Sequence, residues 1–151
     1  MPDLTALRRR FRHHAWAGRQ LVDALAATPA PDALRALAHA LAADHIWHQR
    51  LVGGPPPTTV WPDLDPAGCR ALLDLTTADW QVFLASADLD AEVTYRTTQG
   101  EPFTNHVTDV LDHVRLHGAH HRGQANAAIR AAGGTPPTLD VIRWARLGDP
   151  D

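Results

Sequence analysis

Proline- and glycine-rich breaks divide the chain into four long stretches of helical character, and this division most constrains its fold. Apolar residues recur every three to five positions within each stretch, a spacing typical of amphipathic helices, and proline or glycine interrupts each one. The predicted helices are Leu4–Ala27, Asp32–Val52, Ala67–Ala87 and a fourth that Thr104 or Asn105 caps and that ends near Ala132. Helices of this number and length predict an all-α protein built as a four-helix bundle. The connection between the second and third helices is long enough to cross over the bundle.

Two shorter elements are expected near the fourth helix. Residues 92–98 contain β-branched and aromatic side chains in near alternation, and the turn 99–102 follows. They predict a small β-hairpin or an extended linker before helix 4. Residues 139–147 predict a short closing helix anchored by Trp144.

Length and composition narrow the class of protein. A chain of 151 residues predicts one domain over residues 1–151. The single cysteine, Cys69, excludes an internal disulfide or a site of several thiolates. There is no apolar run long enough for a membrane span and no signal peptide, so a cytoplasmic protein without membrane contact is expected. A net charge of −3 argues against nucleic acid as a partner.

Histidines are concentrated in the predicted fourth helix. Five of the ten histidines fall within 16 residues: His106, His113, His117, His120 and His121. His117 and His121 are four residues apart, which places their imidazoles one turn apart on one face, a spacing that suits metal chelation. His106 and His120 are interpreted as structural or surface residues, and His113 as a residue beside the ligands, a core-packing residue or a ligand.

A third ligand would have to come from another helix, because an open zinc-like site usually has three protein ligands. Helix 2 offers His39, His45 and His48. His39 and His45 lie on different, partly apolar stripes, so periodicity leaves both open. The small alanines beside His39 leave room for a metal and favour it mildly.

Several motifs together resemble the DinB-like family. They are LAHALAADHIWHQRL at 37–51, HVRLHGAHHRGQ at 113–124, HAWA at 14–17, TYRTTQGEPF at 94–103 and GTPPTLD at 134–140. The resemblance covers nearly the whole chain. It implies a four-helix bundle with crossover topology, usually a homodimer, and a divalent metal, zinc or nickel, held by three histidines. By position these are His39, His117 and His121.

The resemblance also points to a function. Relatives include S-transferases and isomerases that use low-molecular-weight thiols, so the leading hypothesis is a metal-dependent enzyme that joins such a thiol to a small electrophilic substrate. The alternatives are a non-catalytic metal-binding stress or damage-inducible protein and a purely structural bundle. Asp44, Trp47, His113 and Gln124 are candidates for the pocket or for hydrogen bonds to the ligands. Arg122 is expected to point away from the metal, toward a dimer contact or a carboxylate of helix 2.

Helix 1 is the predicted dimer surface. Phe11, Trp16, Ala24 and Leu25 share a broad face, and the arginines of 8–12 could reach acidic residues of a second copy. The alternative is that this face packs inside the monomer.

Overall fold

The computed structural model describes residues 3–55, 57 and 59–151 as a mostly helical chain with one two-stranded sheet. In chain order the elements are α1 (Leu4–Ala27), α2 (Pro31–Val52), α3 (Pro66–Phe83), β1 (Glu92–Arg96), β2 (Pro102–His106), α4 (Val107–Ala131) and α5 (Val141–Arg146). The predicted all-α class is confirmed.

Local signals explain most helix ends. The side chain of Asp3 caps α1 by accepting a hydrogen bond of 2.6 Å from the backbone N–H of Ala6. Asp65 caps α3 in the same way through Gly68, at 2.7 Å. Gly53 ends α2 with φ of 69°, a left-handed conformation that glycine adopts at little cost.

The start of α4 differs from the prediction. β1 and β2 pair antiparallel from Glu92 opposite His106 to Arg96 opposite Pro102, so Thr104 and Asn105 belong to the hairpin and do not cap the helix. His106 precedes the first helical residue and makes no side-chain capping bond. Of the two predicted alternatives, the β-hairpin is therefore correct. Because Thr104 and Asn105 pair with β1, the helix begins later than predicted.

The end of α3 is also earlier than predicted. The helix stops at Phe83, and the N–H groups of Ala85 and Ser86 bond to carbonyls only three residues back. These tighter bonds turn the chain toward β1, so 84–87 are not helical.

The buried core lies between the four long helices. α4 packs closely along α2, while α3 packs against both α1 and α2. One apolar cluster includes Leu21, Leu37 and Ile129, and a second includes Phe11, Trp80 and Leu111. The long contact between α2 and α4 positions the histidines of these two helices.

The predicted dimer surface on α1 is wrong, because this face is used inside the chain. Phe11, Trp16 and Leu25 are 6%, 4% and 3% exposed. Trp16 packs in a small cluster with Trp144, which is fully buried as predicted. Of the arginines, Arg9 forms an ion pair with Asp149 of the same chain at 2.6 Å. Dimerisation stays a prediction, but this face is not its interface.

No helix in the described part of the chain is long and apolar enough to cross a membrane.

Candidate metal centre

Three histidines from α2 and α4 meet at one point. His39, His117 and His121 each offer a ring nitrogen, and these nitrogens all lie within 4.8 Å of one another. The rings are 4.4 Å apart for His117 and His121, 4.5 Å for His39 and His121, and 5.2 Å for His39 and His117, measured between centroids. Helical spacing places the α4 pair on one face, and the packing of α2 on α4 supplies the third ring.

The other histidines of α2 face a different helix. The Nδ1 atoms of His45 and His48 lie 3.8 and 3.7 Å from a carboxylate oxygen of Asp79 on α3. His48 also packs edge-on against Trp80, with ring centroids 5.3 Å apart. Since each helical residue advances by about 100°, a residue that faces α3 turns away from α4. The structure therefore brings His39, and not His45, to the α4 pair.

The loop after α2 holds the ring of His39. Its Nδ1–H donates to the carbonyl oxygen of Val60 at 2.5 Å, which leaves the Nε2 lone pair free for a ligand. On one face the ring stacks on the indole of Trp61, with centroids 3.8 Å apart and planes 10° apart. The guanidinium of Arg35 lies 5.0 Å from the Trp61 ring. These contacts fix both the tautomer and the orientation of His39.

Gln124 orients His121. Its side-chain oxygen accepts a hydrogen bond of 2.7 Å from the Nδ1–H of His121, and its amide nitrogen donates to Nε2 of His120 at 3.1 Å. As for His39, the bond to Nδ1 frees Nε2. Gln124 therefore holds the ring of His121, one of the three clustered histidines.

His117 completes the cluster from a partly buried position. Its Nε2 lies 3.2 Å from Nε2 of His121, while its own Nδ1 is buried and has no hydrogen-bond partner in the described part of the chain. Burial, followed by the charges that protonated His121 and His39 would carry, lowers the pKa of His117 to about 4. Burial also lowers the pKa of His121.

The chemistry of this donor set fits a zinc-like divalent ion. Only neutral imidazole binds a metal, and His117 stays neutral well below pH 7. Two of the rings have Nε2 freed by bonds at Nδ1. The three ring nitrogens lie close enough together for one ion to be bound by all three.

Trp47 and His113 lie next to the cluster along the α2–α4 contact. Their rings pack edge-on with centroids 5.0 Å apart, and His113 lies 5.4 Å from His117. Partial burial and the charge of Arg50 lower the pKa of His113. His113 is outside the group of three, at the position of a neighbour and not of a ligand.

Asp44, a candidate for hydrogen bonds to the ligands, instead bonds to a histidine outside the group of three. It is only 3% exposed, and its Oδ2 accepts a hydrogen bond of 2.7 Å from Nε2 of His14 on α1. Arg122, also buried, donates to Nδ1 of the same histidine at 3.2 Å. Arg122 therefore points away from the metal centre and toward the helix-2 carboxylate, one of its two expected positions.

The contact between Gly118 and His14 is not predicted by the sequence, although both residues lie in motifs of the family resemblance. A Cβ atom at Gly118 would lie 2.4 Å from Cε1 of His14 and 2.9 Å from Nη1 of Arg122. A glycine inside a helix lowers its stability by about 1 kcal/mol relative to alanine. A glycine at such a position therefore indicates that another element approaches the helix closely there.

Comparison with known proteins agrees with the motifs. The model of the DinB family matches residues 1–149. A comparison with curated proteins gave no match. A match over almost the full length, together with the three clustered histidines, leads to one conclusion: the chain belongs to the DinB family.

Proposed function

We propose that His39, His117 and His121 hold a zinc or nickel ion and that the protein is a metal-dependent enzyme. The observation that carries the proposal is the convergence of the three ring nitrogens within 4.8 Å. A divalent ion with three neutral ligands retains its charge and lowers the pKa of a coordinated water or thiol.

The surroundings of the cluster support an accessible site. Trp61 is 46% exposed beside His39, and His120 and Gln124 are exposed beside His121. His113 packs on Trp47 outside the group of three, so an ion held by the three histidines would have a position left for an external molecule. An open position is typical of catalytic sites, and a closed one of structural sites.

The reaction class we propose is the transfer of a low-molecular-weight thiol to a small electrophile. The thiol sulfur forms a bond to carbon, a halide leaves with its electron pair, and the thiol proton passes to solvent. The residues of this chain position the ligands: the carbonyl of Val60 and the ring of Trp61 hold His39, while Gln124 holds His121. Cys69 is fully buried, so the thiol must come from a second molecule.

The same proposal includes the arrangement of the long helices. We take α1–α4 to form the four-helix bundle with a crossover between α2 and α3 that the family resemblance implies, within one domain. The contacts of α1 with α3 and α4, and of α2 with α3 and α4, support it.

Metal analysis of purified protein tests the first part. We expect about one zinc or nickel ion per chain, and loss of the ion in His39→Ala, His117→Ala and His121→Ala. His106→Ala is the matched control, because His106 is exposed at the end of β2. Full metal content in all three variants would refute the site.

Thiol conjugation tests the second part. The metal-loaded protein, given an aryl halide and a panel of low-molecular-weight thiols, should form a thioether faster than the His117→Ala variant. If the protein holds metal but conjugates no thiol, the enzyme proposal fails and a non-catalytic metal-binding protein is the better description.

A further inference from the structure

A cavity of about 190 Å³ lies between α1, α2 and α3, apart from the three clustered histidines. Its walls are largely apolar, with Phe11, Leu73, Trp80 and Leu84 among the lining residues. The rings of Phe11 and Trp80 are 5.0 Å apart with planes at 47°. A dry cavity of about 150 Å³ is known to hold benzene, so this one has room for a single aromatic ring with a small substituent.

Buried polar groups line the same cavity. His14 and Asp44 are 6% and 3% exposed and are joined by a hydrogen bond of 2.7 Å. His14 thus bridges two other buried side chains: Nε2–H donates to Asp44, and Nδ1 accepts from Arg122. Within the described residues, the second carboxylate oxygen of Asp44 has no hydrogen-bond partner, and neither do Thr77 Oγ1 and Trp80 Nε1. Buried polar atoms without partners are costly, so a ligand that supplies a partner is favoured.

Charges on the two sides of the cavity restrict the ligand. The carboxylate of Asp44 is offset by the buried guanidinium of Arg122, while the exposed Arg8 and Arg12, which also line the cavity, disfavour a cation. Any charged ligand would also lose its hydration in the apolar interior, a cost that a neutral molecule avoids. A hydroxyl group can donate to a carboxylate oxygen and accept from a donor such as an indole N–H.

We propose that this cavity binds a small neutral phenol or aromatic alcohol, with the ring against Phe11 and Trp80 and the hydroxyl donating to Asp44. The site does not require the metal centre. It is a binding site distinct from the three-histidine cluster.

Titration of phenol into the full-length protein, followed by NMR chemical shifts and calorimetry, tests the proposal. We expect saturable binding with a dissociation constant on the order of 0.1–1 mM. Toluene, which has the same shape without the hydroxyl, should bind about 2- to 10-fold more weakly. Benzoate and benzylammonium should each bind at least about 10-fold more weakly, because each would place a charge in an apolar cavity. Absence of saturation with phenol, or equal affinity for toluene or either ion, would overturn the proposal.

A cavity-filling variant tests whether phenol binds in this cavity. Ala15 lines the cavity and is 5% exposed, so Ala15→Leu should weaken phenol binding at least about 10-fold. Ala78→Leu is the matched control, on an exposed position of α3 outside the cavity lining, and should bind phenol normally. If Ala15→Leu loses its helical circular dichroism, Leu84→Phe fills the cavity from another wall. Unchanged phenol affinity in the folded variant would show that the ligand binds elsewhere.

Discussion

The imidazole of His39 stacks on the indole of Trp61, with centroids 3.8 Å apart and planes only 10° apart. The residue before Trp61 accepts the hydrogen bond from His39 Nδ1. One short loop segment thus fixes the tautomer and the rotation of the His39 ring and covers one of its faces.

Removing this stack should weaken metal binding. Trp61→Ala leaves His39 in place but frees its ring to rotate, and contacts that orient a ligand are typically worth about 10- to 100-fold in metal affinity. We expect a rise of that size in the zinc dissociation constant, measured by competition with a chromophoric chelator. Trp61→Phe keeps an aromatic face and should retain most of the affinity. Equal affinities in wild type and Trp61→Ala would contradict this role.

Gln124 should contribute to metal affinity through the hydrogen bond that it accepts from His121. Gln124→Leu removes the acceptor for Nδ1–H of His121, and we expect zinc affinity to fall about 10-fold or more. Gln124→Glu keeps an acceptor and adds a charge that strengthens the bond, so its affinity should be at least that of the wild type. Isothermal titration at neutral pH would measure both; a loss of affinity in Gln124→Glu equal to that in Gln124→Leu would argue against the mechanism.

Two glycines of α4 should respond oppositely to alanine. At Gly118 the new Cβ collides with His14, and we expect destabilisation of about 1–3 kcal/mol. At Gly123 no described residue lies within 4 Å of an added Cβ, so Gly123→Ala should stabilise by about 0.5–1 kcal/mol through higher helix propensity. Urea unfolding of the two variants gives the comparison. A neutral Gly118→Ala would mean that His14 moves aside freely.

The metal-free protein should lose stability in acid. The pKa of His117 is about 4 in the folded chain against 6.5 for an ordinary histidine. Between these values the unfolded chain binds the proton and the folded chain does not, so stability falls as pH drops from about 6.5 to about 4. Thermal melts of chelator-treated protein should show this trend, and His117→Gln should show a shallower one. His106→Gln, which changes an exposed ring, serves as the control; the same acid dependence in all three proteins would exclude His117 as a cause.

Cys69 should resist modification while the chain is folded. It is fully buried, and burial, with the charge of Asp65, raises the pKa of its thiol from 9.0 to about 11. The thiolate fraction alone then falls about 100-fold. Iodoacetamide at pH 8 should label native protein far more slowly than protein unfolded in guanidinium, as mass spectrometry would show. Rapid labelling of the native chain would refute this burial.

The sequence alone determined the local elements and two of the three clustered histidines. Proline and glycine breaks, together with apolar periodicity, act over a few residues, so they predicted α1, α2 and α5 nearly to their observed ends. The pairing of His117 with His121 follows from the turn of a single helix. The family resemblance added His39, which helical periodicity had left open against His45.

Only the tertiary structure decided what depends on how helices rotate and pack. α2 has apolar residues on more than one side, so the contact with α4, and not its own pattern, selects His39 for the cluster. The burial of Asp44 is not predictable from nearby sequence, because its partner His14 lies 30 positions away on α1. Their hydrogen bond offsets the cost of burying the carboxylate. The apolar face of α1 would be equally suited to a dimer interface by its pattern alone, but the hydrophobic effect buries it inside this chain. Local sequence sets which side chains share a face, and packing between distant segments sets what that face meets.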